Sequence, residues 1–567
     1  MNHSRWNLLP PAPAEFMAEV NGYSALFAQL LYNRGLKTAS EIELFLTGDE
    51  RLSFDPLSLP DMQNATSRIY RALLSGELIA VYGDFDVDGV TSAALMVQGL
   101  TDLGGIVIPY IPHRVSEGHG LRHAAIDELH EKGVNLIVTV DCGITDLEEI
   151  KHANELGMTV IITDHHTPPP TLPPAYAIVN PKLSGSPYPF IELAGVGVAF
   201  KVMQAIMTSL GKESKLDEYM DLVALGTVAD MVPLVGENRY LVKRGLQTLN
   251  VAPRLGLKEI LSRANLIPGN LDADSITWVL SPWLNASGRL EHAIASYNLL
   301  TTKSINEAKS LATLLGQQNV ERQKLTAKAM TNARAKIAEQ GLDSLILLSH
   351  TDFPLGIAGP VAGKLSEEFY RPVIIVNIDD RTASGSTRSI PEFNIVNALN
   401  QCAGLLGRFG GHAQAAGFTM PAKNLALLKR ELVEIARKQL QDIDLRPRIN
   451  IDAETTLEEL KGDTYSLLRK LSPFGKNNPQ PTFVSRGVEV TSCRTMGNEQ
   501  QHLRMKLRQG STAFDCVAFR LGDLVTEITD TVDIVYNLEL DRWNGAENLR
   551  LNVQSFRPNH RSKKQKF

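Results

Sequence analysis

Cysteine is scarce in this chain. Its 567 residues include four, Cys142, Cys402, Cys493 and Cys516, at spacings that fit neither a zinc site nor a disulfide framework. Reduced thiols in a reducing compartment are therefore expected. Long apolar runs are missing too. No stretch approaches the ~20 apolar residues of a membrane span, and the opening MNHSRWNLLPPAPAEF lacks the apolar core of a secretion signal. A cytoplasmic location is the expectation. Neither sign of charge dominates, with a formal net charge of −6. That neither requires nor excludes a nucleic-acid partner, because a binding channel needs only a local basic stripe. Internal repeats and low-complexity tracts are absent, which excludes solenoids and collagen-like folds. What remains is a chain with 43% apolar residues, enough for the cores of three or four domains of ~100–200 residues.

Residues 1–50 read as a helical lead-in. From Glu77, apolar runs alternate with helical segments: GELIAVYG, VTSAALMVQGLTDLGG, IVIPYIP, LRHAAIDELHEKG, NLIVTV, TDLEEIKHANELG and MTVIIT. Strands separated by helices of ~10–15 residues predict a doubly wound parallel sheet. HTPPPTLPPAYAIVNP is a proline-rich loop returning to a short strand, and helices near 193–211 and 215–229 lead to Asp230. Residues 304–340 contain no proline and begin Ser-Ile-Asn-Glu, a capping-box pattern that predicts one or two long helices. Arg322, Lys324, Lys328, Arg334 and Lys336 there read as a solvated face, with the border of a nucleic-acid channel as the sharper alternative. SLILLSH and PVIIVNI open a second α/β unit with the glycine-rich turns ASGSTRS and LGRFGGHAQAAGF. After about residue 440 come five or six short strands without long helices, as in a small β-barrel of OB-fold size. The expected fold is thus two α/β domains joined by a long helix, with a C-terminal β-barrel. Segments are assigned as 1–50 lead-in, 51–260 and 341–435 α/β domains, 261–340 helical connector and 436–567 barrel. The closing NHRSKKQKF is a short basic tail, expected to be solvated.

Acidic and histidine residues stand where strands should end: Asp84, Asp86 and Asp88 in VYGDFDVDGVTSA, Asp141 in LIVTVDCG, Asp164-His165-His166 in VIITDHH, and Asp230 in ALGTVADMVPL. At the carboxyl edge of a parallel sheet, ligands bind. In extended backbone Asp84, Asp86 and Asp88 share one face, and Gly89 permits a sharp turn into the helix. An EF-hand is rejected, because position 12 of the loop would be Leu95 rather than glutamate. Asp141 alone would pass as a helix cap, but Thr145 offers another cap. Converging carboxylates repel unless cations lie between them. Oxygen ligands with one or two imidazoles suit Mn²⁺ or Mg²⁺ better than structural zinc. These residues point to a metal-dependent phosphoester hydrolase.

DFDVDG, VDCG, DHH and the aspartate of VADMVPL together resemble the four motifs of the DHH phosphoesterase superfamily. GRFGGHAQAAGF resembles the signature of its accompanying domain, of DHHA1 type. Order, spacing and length resemble the branch of bacterial single-stranded-DNA-specific exonucleases, over essentially the whole chain. The resemblance implies a two-metal Mn²⁺ or Mg²⁺ site. Asp84 and Asp141 would hold one ion, and Asp86, Asp141, His165 and Asp230 the other, with Asp141 bridging and His166 facing the scissile phosphate. Relatives with short substrates carry a histidine four residues before the first aspartate. Ala80 stands there in this chain, so one ion would have fewer protein ligands. Asp88 is expected to hydrogen-bond around the site, with ligation as the alternative. Two ions ~3.5–4 Å apart would activate water and clamp the phosphate for in-line attack, releasing 5′-mononucleotides with 5′→3′ polarity.

Phosphate recognition calls for planar, permanently charged donors. Arg114 in IPHRVSEGHG, Arg289 in NASGRL and Arg388 in SGSTRS are the candidates, with His113, Ser386 and His412 beside them. Backbone N–H groups of the Gly-Gly-His run at 410–412 can approach an anion. In the barrel, Phe514, Phe519, Tyr536, Trp543 and Phe556 lie among Arg504, Lys506, Arg520 and Arg542. Aromatics in strands are usually core, and one or two exposed on the barrel would stack bases of a single strand. The implied role is a single-strand DNA exonuclease in repair and recombination, supplied by a single-strand-binding protein and a helicase, with no membrane and no small organic cofactor. Two alternatives stand beside it. One is a small-substrate hydrolase of oligoribonuclease, cyclic-dinucleotide or pyrophosphatase type, against which the β-rich C-terminus argues. The other is a degenerate non-catalytic relative, against which the complete set of acids argues.

Overall fold

The computed structural model describes residues 4–20, 22–114, 116–251, 253–350, 354–379, 381–543 and 546–559, and no side chain at 498, 542, 543 or 546. Its contacts divide the chain into two units, Leu52–Leu445 and a discontinuous one made of Met1–Arg51 and Arg446–Phe567. Part of the basic tail, residues 560–567, lies outside the described residues.

The Leu52–Leu445 unit holds two sheets. In the first, Ile106–Tyr110, Leu78–Gly83, Leu136–Val140, Thr159–Thr163 and Ala177–Val179 lie in that order, all parallel. LIAVYG, LIVTV and TVIIT are almost wholly buried, as strands covered on both faces must be. Alternate residues enter opposite cores. Ile79, Val81, Leu136 and Val138 pack with helices Val87–Asp102, Gly195–Ser209 and Met220–Ala229, whereas Ala80, Tyr82 and Ile137 pack with His123–Glu131 and Leu147–Glu155. The second sheet runs Arg408–His412, Ala415–Pro421, Thr382–Arg388, Val373–Ile378, Ile346–Ser349, with only the last pair parallel.

Between the two sheets in sequence runs one unbroken helix, Ile305–Gln340, of 36 residues, about 54 Å long at 1.5 Å per residue. Ser304 caps it by accepting from the Glu307 N–H at 3.4 Å. Only half the predicted capping box forms, since the Glu307 carboxylate accepts instead from the Thr302 hydroxyl at 2.5 Å. Gly316 does not break the helix. A Cβ there would lie 2.9 Å from the Trp283 ring, so the glycine lets that indole pack against the helix.

The other unit is a closed five-stranded barrel. Phe483–Met496, His502–Gln509, Thr512–Ala518, Ala546–Pro558 and Thr531–Trp543 pair in that order, and the last pairs back onto the first. The lead-in helices share its core: Phe16, Phe27, Leu30, Leu31 and Ile42 cluster with Leu503, Val532 and Tyr536. Arg5–Leu8 adds a parallel pairing with Arg448–Ile451.

A candidate metal centre and phosphate pocket

Gly83, Val140 and Thr163 are cross-strand neighbours, on strands ~4.8 Å apart. The residues that follow them, Asp84, Asp141 and Asp164, therefore leave the carboxyl edge side by side. Asp84, Asp86 and Asp141 form one group whose ligand atoms lie within 4.8 Å of one another. Asp88, His165 and Asp230 form a second such group, and Asp141, His165 and His166 a third. Asp230 arrives as the C-cap of Met220–Ala229.

The expectation that Asp84, Asp86 and Asp88 share one face is not met. The strand ends at Gly83, Asp86 caps the helix Val87–Asp102 by accepting from the Gly89 N–H at 3.1 Å, and Asp88 sits in the first helical turn. The period changes from 2 to 3.6 inside the motif, and Asp88 meets His165 and Asp230 rather than joining the Asp84, Asp86 and Asp141 group. Gly89 is needed for close approach rather than for a turn. It is helical, and a Cβ on it would lie 2.5 Å from the Asp84 backbone N and O. Both Asp88 oxygens are taken by backbone donors, the Gly195 N–H at 2.7 Å and the Val196 N–H at 2.8 Å. Asp88 thus holds the start of helix Gly195–Ser209 in place, with its charge at the positive end of that helix. The helix in turn backs Asp141, since a Cβ on Gly195 would lie 2.5 Å from the Asp141 Cβ. Asp141 itself has φ 61°, a left-handed conformation that aspartate tolerates better than most residues.

Asp164 is turned away to support its neighbours. One oxygen accepts from the backbone N–H of His165 and of His166, and from the His166 ring Nδ1 at 2.8 Å; the other accepts from the Ile144 N–H. Burial works against the Asp164 charge, but His166 holds its pKa well below the usual carboxylate range. Burial also opposes the His166 charge, yet Asp164 and the neighbouring aspartates raise that pKa to about 9. Burial, reinforced by His166, lowers the His165 pKa to about 3, so that ring is neutral and free to ligate. Thr145 does not cap the next helix. Asp146 occupies the N-cap of Leu147–Glu155, and its carboxylate accepts from the Leu121 N–H at 2.8 Å.

The site is unfinished without cations. Among the described residues, Asp84 Oδ1, Asp141 Oδ1 and His165 Nε2 are buried with no hydrogen-bond partner. His165 Nε2 lies 3.1 Å from Asp141 Oδ1 and 3.7 Å from Asp230 Oδ2. Burial, then mutual repulsion, pushes Asp86, Asp88 and Asp141 above the usual carboxylate range. Divalent ions among these oxygens and a neutral imidazole would offset the repulsion and give the unpartnered atoms ligands, and the donor set fits Mn²⁺ or Mg²⁺.

Sequence reasoning missed His119, whose Nδ1 lies 2.9 Å from Asp84 Oδ2. Its setting between two glycines in EGHG was the available signal. His119 and Arg114 both meet Phe85: the His119 ring lies 4.3 Å from the Phe85 ring, and the Arg114 guanidinium carbon lies 4.7 Å from it.

The second sheet brings further candidates together. Arg388 is opposite Ala415, and Ala415 is opposite His412, so Arg388 and His412 stand at the same end. Ser386 precedes Arg388 by two on the same strand face. The His412 ring is parallel to that of His166 at 6.5 Å. Arg289, in the last turn of Ser281–Leu290, donates to the Gly356 carbonyl at 3.0 Å. Arg114 and Arg388 both act electrostatically on Arg289. His113 is used locally, its Nδ1 accepting from the Ser116 N–H at 3.1 Å. In the barrel unit, Phe514, Tyr536 and Phe556 are core and Phe519 is 46% exposed. The side chains of Arg542 and Trp543 lie outside the described residues.

The sequence models of the DHH family N-terminal domain, the DHHA1 domain and the RecJ OB domain match residues 78–227, 342–440 and 451–555. The Bacillus subtilis (strain 168) single-stranded-DNA-specific exonuclease RecJ is 38% identical over 557 residues, covering 97% of this chain and 70% of the relative. The chain belongs to the RecJ family. The structure of RecJ from Thermus thermophilus in complex with Mn²⁺ superposes with a TM-score of 0.86 at 30% identity, covering 98% of this chain and 80% of that one. Its Mg²⁺ complex gives 0.79 at 28%, covering 98% and 79%. The fold is therefore the RecJ one, with DHH and DHHA1 domains and an OB barrel.

Proposed function

We propose that the chain is a single-stranded-DNA-specific 5′→3′ exonuclease that releases 5′-mononucleotides by two-metal hydrolysis and serves DNA repair and recombination. The observation that carries this is the group of buried, unpartnered Asp84, Asp141 and His165 atoms, in a chain of the RecJ family. Asp84, Asp86, Asp141, His165 and Asp230 are proposed as ligands of Mn²⁺ or Mg²⁺, the ions named for the Thermus thermophilus structures. When bound, such ions supply Lewis acidity toward phosphoryl oxygens and lower the pKa of water.

The remaining work falls to the chain's own groups. Asp164 fixes the His166 ring through Nδ1, leaving Nε2 to face a phosphate oxygen. Arg114, Arg289, Ser386, Arg388 and His412 orient the strand, and His113 shapes the loop that carries Arg114. Direction and product are carried over from the family resemblance. Residues 51–260 and 341–435 are proposed as the catalytic and substrate-binding domains joined by 261–340, and 436–567 as a nucleic-acid-binding domain. Single-strand-binding protein and a helicase are proposed partners, and the cytoplasm the location. Among the described residues no helix is long and apolar enough to cross a membrane.

Digestion of single-stranded DNA labelled at either end, with Mn²⁺ or Mg²⁺, tests the assignment. Immediate release of the 5′ label as mononucleotide is expected, with duplex spared and Asp141→Ala inactive but folded. Turnover of dinucleotides or pyrophosphate without DNA cleavage would overturn it, and substantial activity in Asp141→Ala would remove that residue from its bridging role.

A further inference from the structure

His119 lies in a bend between Gly118 and Gly120, outside any strand or helix. Its backbone is nevertheless held from several sides. The Arg122 guanidinium donates to the His119 carbonyl at 2.9 Å and to the Glu117 carbonyl at 2.5 Å. The Tyr82 hydroxyl donates to the Gly120 carbonyl at 3.2 Å, and Tyr82 stands on the strand that delivers Asp84. The Asp146 carboxylate accepts from the Leu121 N–H at 2.8 Å and lies over Gly120, where a Cβ would come within 2.6 Å of both its oxygens. Gly120 also has φ 77°, so position and conformation both call for glycine there. A loop with this many ties to its scaffold presents its side chain in one place.

What it presents is one edge of an imidazole to Asp84. The His119 Nδ1–H donates to Asp84 Oδ2 at 2.9 Å, and the ring packs on Phe85 with centroids 4.3 Å apart. The rest of the ring is open, the His119 side chain being 69% exposed against 6% for Asp84. The two Asp84 oxygens are thereby divided. Oδ2 is committed to His119. Among the described residues Oδ1 is buried without a hydrogen-bond partner, and Asp84 shares with Asp86 and Asp141 a group whose ligand atoms lie within 4.8 Å of one another. The torsion that turns an aspartate carboxylate is broad and soft, so it is poorly aimed by packing alone. A donor on one oxygen fixes that torsion and leaves the other oxygen for a cation.

We propose that His119 is a positioning residue that turns Asp84 Oδ1 toward the cation Asp84 would share with Asp141. The proposal rests on the metal-ligand reading of Asp84. His119 acts through Asp84 and not on the reacting phosphate, and the tethered bend around Gly120 is the device that holds it there.

The test is Mn²⁺ binding to the metal-free full chain by isothermal titration calorimetry, with cleavage of single-stranded DNA as a second readout. His119→Ala should raise the Mn²⁺ dissociation constant roughly tenfold, the lower end of what losing a hydrogen-bond partner of a metal ligand costs. His119→Phe keeps an aromatic ring over Phe85 without a donor and should match His119→Ala. His119→Asn sets an amide N–H where Nδ1 stood and should return to within about threefold of wild type. The side chain is exposed, so all three variants should melt within a few degrees of wild type. Cleavage by His119→Ala should fall at limiting Mn²⁺ and recover at saturating Mn²⁺, while affinity for a fluorescent single-stranded decamer in EDTA stays at the wild-type value. Wild-type Mn²⁺ affinity in His119→Ala or His119→Phe, or no recovery in His119→Asn, would overturn the proposal. So would weakened strand binding in EDTA, which would make His119 a substrate contact. Failure of the underlying reading looks different, as Mn²⁺ affinity unchanged in Asp84→Ala.

Discussion

Gly195→Ala tests how tightly the structure constrains the metal-bridging position proposed for Asp141. The added Cβ would lie 2.5 Å from Asp141 Cβ and 2.6 Å from its Oδ1, whereas unstrained carbon atoms stay about 3.5–4.0 Å apart. Roughly 1 Å must therefore be found, and neither side has it to spare. The Gly195 N–H is tied to Asp88 at 2.7 Å, and the Asp141 N–H is tied to the Thr163 carbonyl at 3.0 Å. The displacement should pass into the Asp141 carboxylate. A shift of about 1 Å in a reacting group costs on the order of 10²-fold in rate, while overpacking at one buried site costs about 1–3 kcal/mol. The expected variant is folded, melts a few degrees lower, and has kcat/KM for 5′-labelled single-stranded DNA reduced about a hundredfold. Gly197→Ala, on the same helix, is the control. Its Cβ would first meet the Leu193 side chain, at 3.3 Å, and activity should stay near wild type. Activity of Gly195→Ala within threefold of wild type, with an ordinary metal requirement, would refute the reasoning.

Other outcomes follow from the same geometry. Arg388→Ala should weaken single-strand binding and flatten the dependence of log affinity on log salt by about one unit; an unchanged slope in filter binding would take Arg388 off the phosphate path. Asp146 has its pKa raised from 3.8 to about 6, chiefly by burial. Its contribution to stability is therefore fully present below about 3.8 and lost as pH rises through about 6. Asp146→Asn keeps an acceptor for the Leu121 N–H and removes the titration. Its melting temperature relative to wild type should accordingly rise between pH 4.5 and 7.5, by an amount corresponding to at most about 3 kcal/mol; parallel profiles would contradict this.

The parallel sheet was legible because strands buried on both faces are written as unbroken apolar runs, LIAVYG, LIVTV and TVIIT, each followed by its acid. Cross-strand register then does what sequence implies, bringing Asp84 and Asp141 together. The DFDVDG motif crosses from strand to helix, so a period-2 rule does not describe how Asp88 reaches the site; helical backbone brings it beside His165 and Asp230. His119 was not legible as a site residue for a different reason. It is 35 residues from Asp84, and no local pattern encodes that approach. The barrel's partnership with Phe27, Leu30 and Leu31 is more remote still. A short amphipathic helix announces that it must be covered, but not by what.

Phe85 shows why the metal and phosphate groups should be treated as one device. Its two chain neighbours, Asp84 and Asp86, belong to the acid group. Its ring contacts both Arg114, a phosphate candidate, and His119, the partner of Asp84. Its carbonyl lies where a Cβ on Gly288, next to Arg289, would come within 2.8 Å. A strand phosphate that draws on Arg114 must therefore load the same loop that presents the acids. Cation and substrate affinities are expected to be coupled through this contact, and by linkage Mn²⁺ should then tighten single-strand binding by the same factor as the strand tightens Mn²⁺ binding; equal strand affinity with and without the ion would break the argument.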